Sequence, residues 1–122
     1  HYNETPEFFY QVEGDITLKI IDNGSTKDVS IKEGDIYFLP PKVYHSPQRG
    51  ANTVGLVIEY KRAKNVNDAL CWFCEKCTNK LYEEAFTLKN IEKDMPIIFD
   101  KFYNDENLRT CSSCNHTMLP PR

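Results

Sequence analysis

The stretch from Asp15 to Ile31, DITLKIIDNGSTKDVSI, constrains the fold of this chain more than any other. Ile16, Leu18 and Ile20 recur at every second position and fall on one face of a strand, because successive side chains in extended backbone point to opposite sides. DNGS at 22–25 is a strong hairpin turn signal, and KDVSI follows as the returning strand. The neighbouring segments have the same texture. EFFYQV is aromatic-rich and ends before Gly14, KEGD at 32–35 is another turn, IYFLPP is a short apolar strand stopped by two prolines, and TVGLVIEY at 53–60 is a Val/Ile-rich strand. Many short strands divided by Gly, Pro and Asn turns predict a mainly β fold, a sandwich or a barrel.

The texture changes after residue 60. KRAKNVNDAL at 61–70 is polar and reads as a linker, and CWFCEKC at 71–77 and CSSC at 111–114 bracket a mixed stretch. Within that stretch Ile91, Met95, Ile98, Phe99 and Phe102 have an approximate helical spacing broken by Pro96, which predicts a short helix over about 96–104. TMLPPR at the end reads as a loose tail. The expected organisation is a barrel over 1–60, a linker over 61–73, and a cysteine-bearing segment with a short helix and tail over 74–122.

C-x2-C, thirty-three residues, then C-x2-C is a specific signal. Each pair forms a knuckle, and Cys74, Cys77, Cys111 and Cys114 together supply four thiolates in the tetrahedral geometry of zinc or of a single rubredoxin-like iron. A site filled by protein ligands is structural rather than catalytic. The rival is two unrelated cysteine pairs or disulfides. Cys71 is left over as a buried or half-exposed thiol, with 71/74 as the rival knuckle, and His116 reads as an ordinary tail residue. Five cysteines is an odd count, which fits a reducing compartment and a metal site better than a disulfide framework.

A net charge of −3 with interspersed signs argues against nucleic acid or an anionic membrane as the partner. The cysteine segment itself, 74–122, holds seven Lys/Arg against eight Asp/Glu, so it has no basic stripe to track phosphates as a nucleic-acid-binding zinc ribbon would. No apolar stretch approaches membrane-spanning length, and the start does not resemble a signal peptide. The chain does not begin with Met, which leaves room for an upstream segment.

The remaining chemistry-bearing residues are His1, Glu7 and His45. Two histidines and one carboxylate are the ligand set of non-haem Fe(II) oxygenases, which leave coordination positions open for substrate and oxygen. A β-barrel suits such a site because alternate residues point inward. His1 and Glu7 fall in one strand–turn–strand region, and His45 is expected in a Pro-braced loop, LPPKVYHSPQR.

The wider spacing resembles the cupin family. Its first motif, G-x5-H-x-H-x(3,4)-E-x6-G, is met by His1, Asn3, Glu7 and Gly14, with Asn3 in place of the second histidine and the leading glycine upstream. Its second, G-x5-P-x-G-x2-H-x3-N, is met by Gly34, Pro40 and His45, with Lys42 for glycine and Arg49 for asparagine. HYNETPEFFYQVEGDITLKIID, EGDIYFLPPKVYHSPQR, VGLVIEYKR and the paired CxxC motifs together resemble the 3-hydroxyanthranilate 3,4-dioxygenase family, from residue 1 to about 115.

This resemblance implies a cupin (jelly-roll) β-barrel and an Fe(II)-dependent extradiol-type dioxygenase. It would convert 3-hydroxyanthranilate and O2 to 2-amino-3-carboxymuconate semialdehyde in the kynurenine pathway, toward quinolinate and NAD. His1, Glu7 and His45 would hold the catalytic iron, and Asn3 in place of a histidine gives a facial triad. Arg49 would grip the substrate carboxylate, Glu59 would contact its amino or hydroxyl side and handle protons, and Phe9 and Pro47 would wall the ring. The four-cysteine site would bind iron or zinc. The resemblance further implies a cytoplasmic homodimer, and N-terminal strands with a second substrate arginine upstream of His1. The rival reading is a non-catalytic cupin that binds metal or a small molecule.

Overall fold

A computed structural model describes residues 1–121. It divides into two compact units, one over His1–Val66 and a second beginning at Asn67. The first contains seven strands, β1 (Tyr2–Asn3), β2 (Glu7–Glu13), β3 (Ile16–Asp22), β4 (Ser25–Ile31), β5 (Ile36–Leu39), β6 (His45–Gln48) and β7 (Val54–Glu59). Two three-stranded antiparallel sheets form, in the orders β5-β2-β7 and β4-β3-β6. Phe9 and Leu39 from the first sheet bury against Ile16, Leu18, Ile20 and Ile31 from the second. This face-to-face packing is the mainly β sandwich or barrel that the short alternating strands predicted, and it agrees with the cupin barrel that the resemblance implied.

The hairpin forms as its sequence dictates. Asp22 pairs with Ser25, and Asn23 and Gly24 between them have φ of 51° and 79°. Two successive positive-φ residues match the right-handed twist of the strands, and Asn-Gly tolerates them best. Ile16, Leu18 and Ile20 are 4, 0 and 8% exposed, the single face their alternation defines.

Two expectations need correction in this unit or at its end. His45 is not in a loop: it opens strand β6, opposite Ile20 on β3. Pro47 hid that strand, since proline lacks an amide donor; β6 is the outer strand of its sheet, where one missing donor is tolerated. Lys42, where the cupin pattern has glycine, takes φ of 64°, the left-handed conformation that glycine adopts without strain. The second corrected expectation is the linker over 61–73, of which 68–73 is a strand.

That strand is β8 (Asp68–Phe73), in the second unit, paired antiparallel with β9 (Lys80–Phe86). Asp68, Ala69 and Leu70 are buried, so the segment that looked polar at its start ends in core. Strand β9, KLYEEAF, carried no branched-residue signal; only pairing with β8 makes it a strand. Helix α1 runs over Ile91–Tyr103, five residues earlier than the predicted start. Asn90 caps it by accepting from the amides of Glu92 and Lys93, and Asp94 accepts from those of Lys89 and Asn90. Pro96 lies inside the helix, where it removes a single hydrogen-bond donor, and the helix runs through it, anchored at its start by this cap and on its buried face by Ile98 and Phe102. Helix α2 (Glu106–Arg109) follows. Ile98 and Phe102 are buried, and the Phe102 ring stacks on Trp72 with centroids 4.3 Å apart. The tail is tied through Met118, whose amide donates to the Arg109 carbonyl, and Thr117 bridges to Thr110. Arg122, the end of the expected tail, lies outside the described residues.

Candidate metal centres and substrate site

Alternation places the candidate site residues of the barrel on inward faces. On β2 these are Glu7, Phe9 and Gln11, all buried. Their cross-strand partners on β7 are Glu59, Val57 and Gly55. His45 and Pro47 occupy the matching phase of β6, and Arg49 continues it. A one-residue slip in any of these strands would turn its whole set outward.

The ligating atoms of His1, Glu7 and His45 lie within 4.8 Å of one another. His45 Nε2 is 2.9 Å from Glu7 Oε2, and His1 Nδ1 is 3.9 Å from Glu7 Oε1. His45 Nδ1 sits 2.9 Å from the Val43 carbonyl oxygen and donates to it. That bond makes Nδ1 the donor and leaves Nε2, the nitrogen facing Glu7, as the one available to a metal. His1 is held by backbone pairing: its α-ammonium donates to the His45 carbonyl at 2.9 Å, and the His45 amide donates to the His1 carbonyl at 3.0 Å. The donor set, two imidazoles and one carboxylate converging on one point, fits a divalent transition metal.

Asn3 has a role the sequence did not reveal. It is 2% exposed, donates from Nδ2 to Glu7 Oε1 at 3.3 Å, and accepts from the Thr5 amide and hydroxyl. It therefore aims the carboxylate from the position where the cupin pattern carries a further histidine. The signal was its burial between Tyr2 and Glu4, visible only once β1 and β2 are placed.

Burial pushes the Glu7 carboxyl up, but hydrogen bonds from His45, Glu59 and Asn3 and the charge of His45 outweigh it and hold it down at about 2. Glu59 is pushed up by burial and by its hydrogen bond to Glu7 and that residue's charge; Arg62, which donates to Glu59 Oε2 at 3.1 Å, pulls the other way. Two adjacent carboxyls cannot both ionise freely, so of the pair Glu59 is the one that takes up a proton first as pH falls. The Phe9 ring lies edge-on to His45, centroids 6.4 Å apart. Pro47 is half-buried opposite Leu18. Arg49 is exposed, with its guanidinium beside Gly55 and Gln11.

In the second unit the four expected sulfurs come together. Cys74 Sγ is 3.6 Å from Cys114 Sγ, Cys77 Sγ is 3.5 Å from Cys111 Sγ, and all four lie within 4.8 Å. A tetrahedral Zn–S length of about 2.3 Å implies sulfur–sulfur edges of about 3.8 Å, so the cage is metal-sized. The two knuckles repeat one geometry. The Thr78 amide donates to the Cys74 carbonyl and the Asn115 amide to the Cys111 carbonyl, each at 2.9 Å, with φ of 65° and 63°. The Cys74 amide donates to the Asn79 carbonyl at 2.7 Å and the Cys111 amide to the His116 carbonyl at 2.8 Å. Amides inside each knuckle point at its first sulfur. Those of Cys77 and Lys76 draw the Cys74 thiol down, and those of Cys114 and Ser113 draw Cys111 down to about 6. Backbone amides thus favour the thiolate at the first sulfur of each knuckle, as a metal needs. At Cys77 the Asn79 amide pulls the same way, but the bonds to the neighbouring cysteine sulfurs and burial push that thiol up to about 12. Cys71 stands apart, half-buried, and burial pushes its thiol up to about 12. The His116 ring pairs with Glu75 at 2.6 Å.

A cupin barrel that gathers two histidines and a glutamate inward, with a four-cysteine cluster in the same chain, defines a metal-dependent oxygenase class of cupin. The chain belongs to the 3-hydroxyanthranilic acid dioxygenase family, whose family model matches residues 1–103. It is 53% identical over 121 residues to a protein of Xanthomonas euvesicatoria pv. vesicatoria named 3-hydroxyanthranilate 3,4-dioxygenase, covering 99% of this chain and 69% of that one. A Xanthomonas campestris pv. campestris protein of the same name is 50% identical with the same coverage. One from Shewanella woodyi, also so named, is 49% identical over 115 residues, 93% of this chain and 61% of that one.

Proposed function

We propose that this chain is a 3-hydroxyanthranilate 3,4-dioxygenase. Its reaction opens the aromatic ring of 3-hydroxyanthranilate with both atoms of O2, giving 2-amino-3-carboxymuconate semialdehyde, the precursor of quinolinate and NAD. The observation that carries the reading is the convergence of His1, Glu7 and His45 with Glu59 hydrogen-bonded to Glu7, in a chain of this family.

His1, Glu7 and His45 would hold Fe(II) and leave the rest of its shell open. When bound there, ferrous iron supplies a path for electron density from the electron-rich ring to oxygen. The chain's own residues bind, orient and manage protons. Arg49 offers a planar guanidinium that grips the substrate carboxylate with two parallel hydrogen bonds. Glu59, its carboxyl held above the ordinary range, is suited to exchange a proton with the hydroxyl or amino side of the substrate. Phe9 and Pro47 present apolar surface to the ring and keep water from it. Cys74, Cys77, Cys111 and Cys114 would hold iron or zinc as a closed structural site, leaving no position for substrate.

We further infer a cytoplasmic homodimer with a barrel domain and a separate four-cysteine domain. Reduced cysteines around a metal site support a reducing compartment. The outward residues Ile36, Phe38, Leu56 and Ile58 of the β5-β2-β7 sheet, each more than half exposed, support an apolar contact between copies. No helix among the described residues is long and apolar enough to cross a membrane.

The test is anaerobic loading with Fe(II), then addition of 3-hydroxyanthranilate and O2 while the ring-opened product is followed, with wild type and His45→Ala side by side. Turnover in wild type that is lost in the variant is the expected result. Fe(II) binding without turnover in wild type would favour the non-catalytic cupin.

A further inference from the structure

Gly55 is the second residue of β7, beside the irregularity between Gln11 and Glu13 on β2, and its φ is not positive, so a left-handed conformation is not what calls for glycine there. Glycine in a strand interior is unfavourable and marks a place where other groups approach closely. Two groups do so here. A Cβ at position 55 would lie 2.6 Å from Gln11 Oε1 and 2.8 Å from an Arg49 Nη1, both too close for any real contact. Gln11 is the direct cross-strand partner of Gly55 and is 1% exposed. Its amide is oriented by donation from Nε2 to the Glu13 carbonyl at 3.0 Å, which leaves Oε1 toward Gly55.

We infer that Gly55 and Gln11 are positioning residues for Arg49: the missing side chain at 55 makes the space in which the guanidinium lies, and the Gln11 amide bounds it. This rests on the reading of Arg49 as the group that grips the substrate carboxylate. Any side chain at 55 displaces the guanidinium, because the backbone and the buried Gln11 amide yield less readily than an exposed arginine. Affinity for the carboxylate then falls, and groups that bind the rest of the substrate are untouched.

The experiment measures anaerobic equilibrium binding of two ligands to the full chain. One is 3-hydroxyanthranilate; the other is 2-aminophenol, the same ring without its carboxylate. Wild type is compared with Gly55→Ala, Gln11→Ala and Arg49→Ala. Gly55→Ala should weaken 3-hydroxyanthranilate about tenfold, the scale of a lost charge-assisted hydrogen bond, and leave 2-aminophenol within about twofold. Gln11→Ala should show the same selectivity. Loss of affinity for both ligands alike in both variants would make the effect a general disturbance and overturn the proposal. Wild-type affinity in Gly55→Ala and Gln11→Ala, with selective loss in Arg49→Ala, would overturn it and leave the reading of Arg49 standing. Wild-type affinity in Arg49→Ala would overturn both.

Discussion

Glu7 on β2 and Glu59 on β7 stand directly opposite one another across an antiparallel pair, and their carboxyls share a hydrogen bond. Like charges so placed destabilise a sheet, and the strain falls on Glu59, whose carboxyl is the one held above its ordinary range. The two contribute oppositely to stability. The depressed Glu7 carboxyl gives stability that is full above the ordinary carboxylate range and is lost as pH falls toward about 2. The raised Glu59 carboxyl gives stability that is full below its ordinary value of 4.5 and is lost as pH rises through its folded-state value. Glu59→Gln keeps a hydrogen-bond donor for Glu7 and removes the ionisation. In the metal-free chain, urea unfolding from pH 4 to 8 should show wild type losing stability relative to this variant as pH rises. The same variant should retain Fe(II) and turn over about 100-fold more slowly, or worse, because it cannot accept a proton.

Asn3 aims Glu7 from a buried position. Groups that orient a metal ligand usually matter about 10–100-fold to metal affinity. Asn3→Ala should weaken Fe(II) binding on that scale in a competition titration with a chelator. The metal content of the four-cysteine site should not change.

The four-cysteine cage ties together residues on either side of β9 and the helices of a unit with few buried apolar side chains. Loss of a structural metal is among the few single changes that cost about 4 kcal/mol or more. Cys111→Ser should lower the metal content by one ion per chain and destabilise the second unit by that amount, read by Trp72 fluorescence during denaturant unfolding. The Trp72 ring packs on Phe102 and so reports that core.

Lys42 has φ of 64° on an exposed turn, and its amide donates to the Asn3 carbonyl at 2.8 Å. A left-handed conformation costs a residue with a Cβ about 1–2 kcal/mol, and glycine gives back about 0.5–1 in chain entropy. Lys42→Gly keeps the hydrogen bond and should raise stability by about 0.5–1 kcal/mol. Denaturant midpoints at unchanged slope would measure it.

Asn90 caps α1 through two amides. Asn90→Ala should cost about 1 kcal/mol, visible as a lower thermal midpoint, and leave turnover unchanged. A loss well below this would mean that Asp94 alone holds the helix start.

Whatever depends on local period and ligand type was legible in the chain before it folded. Ile16, Leu18 and Ile20 with Asn-Gly fix a hairpin because alternation and positive φ are properties of a few adjacent residues. The spacing of Cys74, Cys77, Cys111 and Cys114 fixes two knuckles for the same reason: each is a short loop whose amides turn toward its own first sulfur. That the two histidines and the glutamate come together was legible from their place in the cupin spacing. Helix α1 was half legible, since Pro96 is a strong local signal and the cap at Asn90 a weaker one.

Whatever depends on register belongs to the folded chain alone. That Glu59 faces Glu7, that Gly55 faces Gln11, and that Pro47 lies in an outer strand are facts about pairing between segments distant in sequence. A shift of one residue would preserve every local preference and turn each of these side chains away from the site. Strand β9 likewise exists only through β8. Local chemistry chose the parts, and long-range hydrogen bonding and apolar burial chose which of them meet.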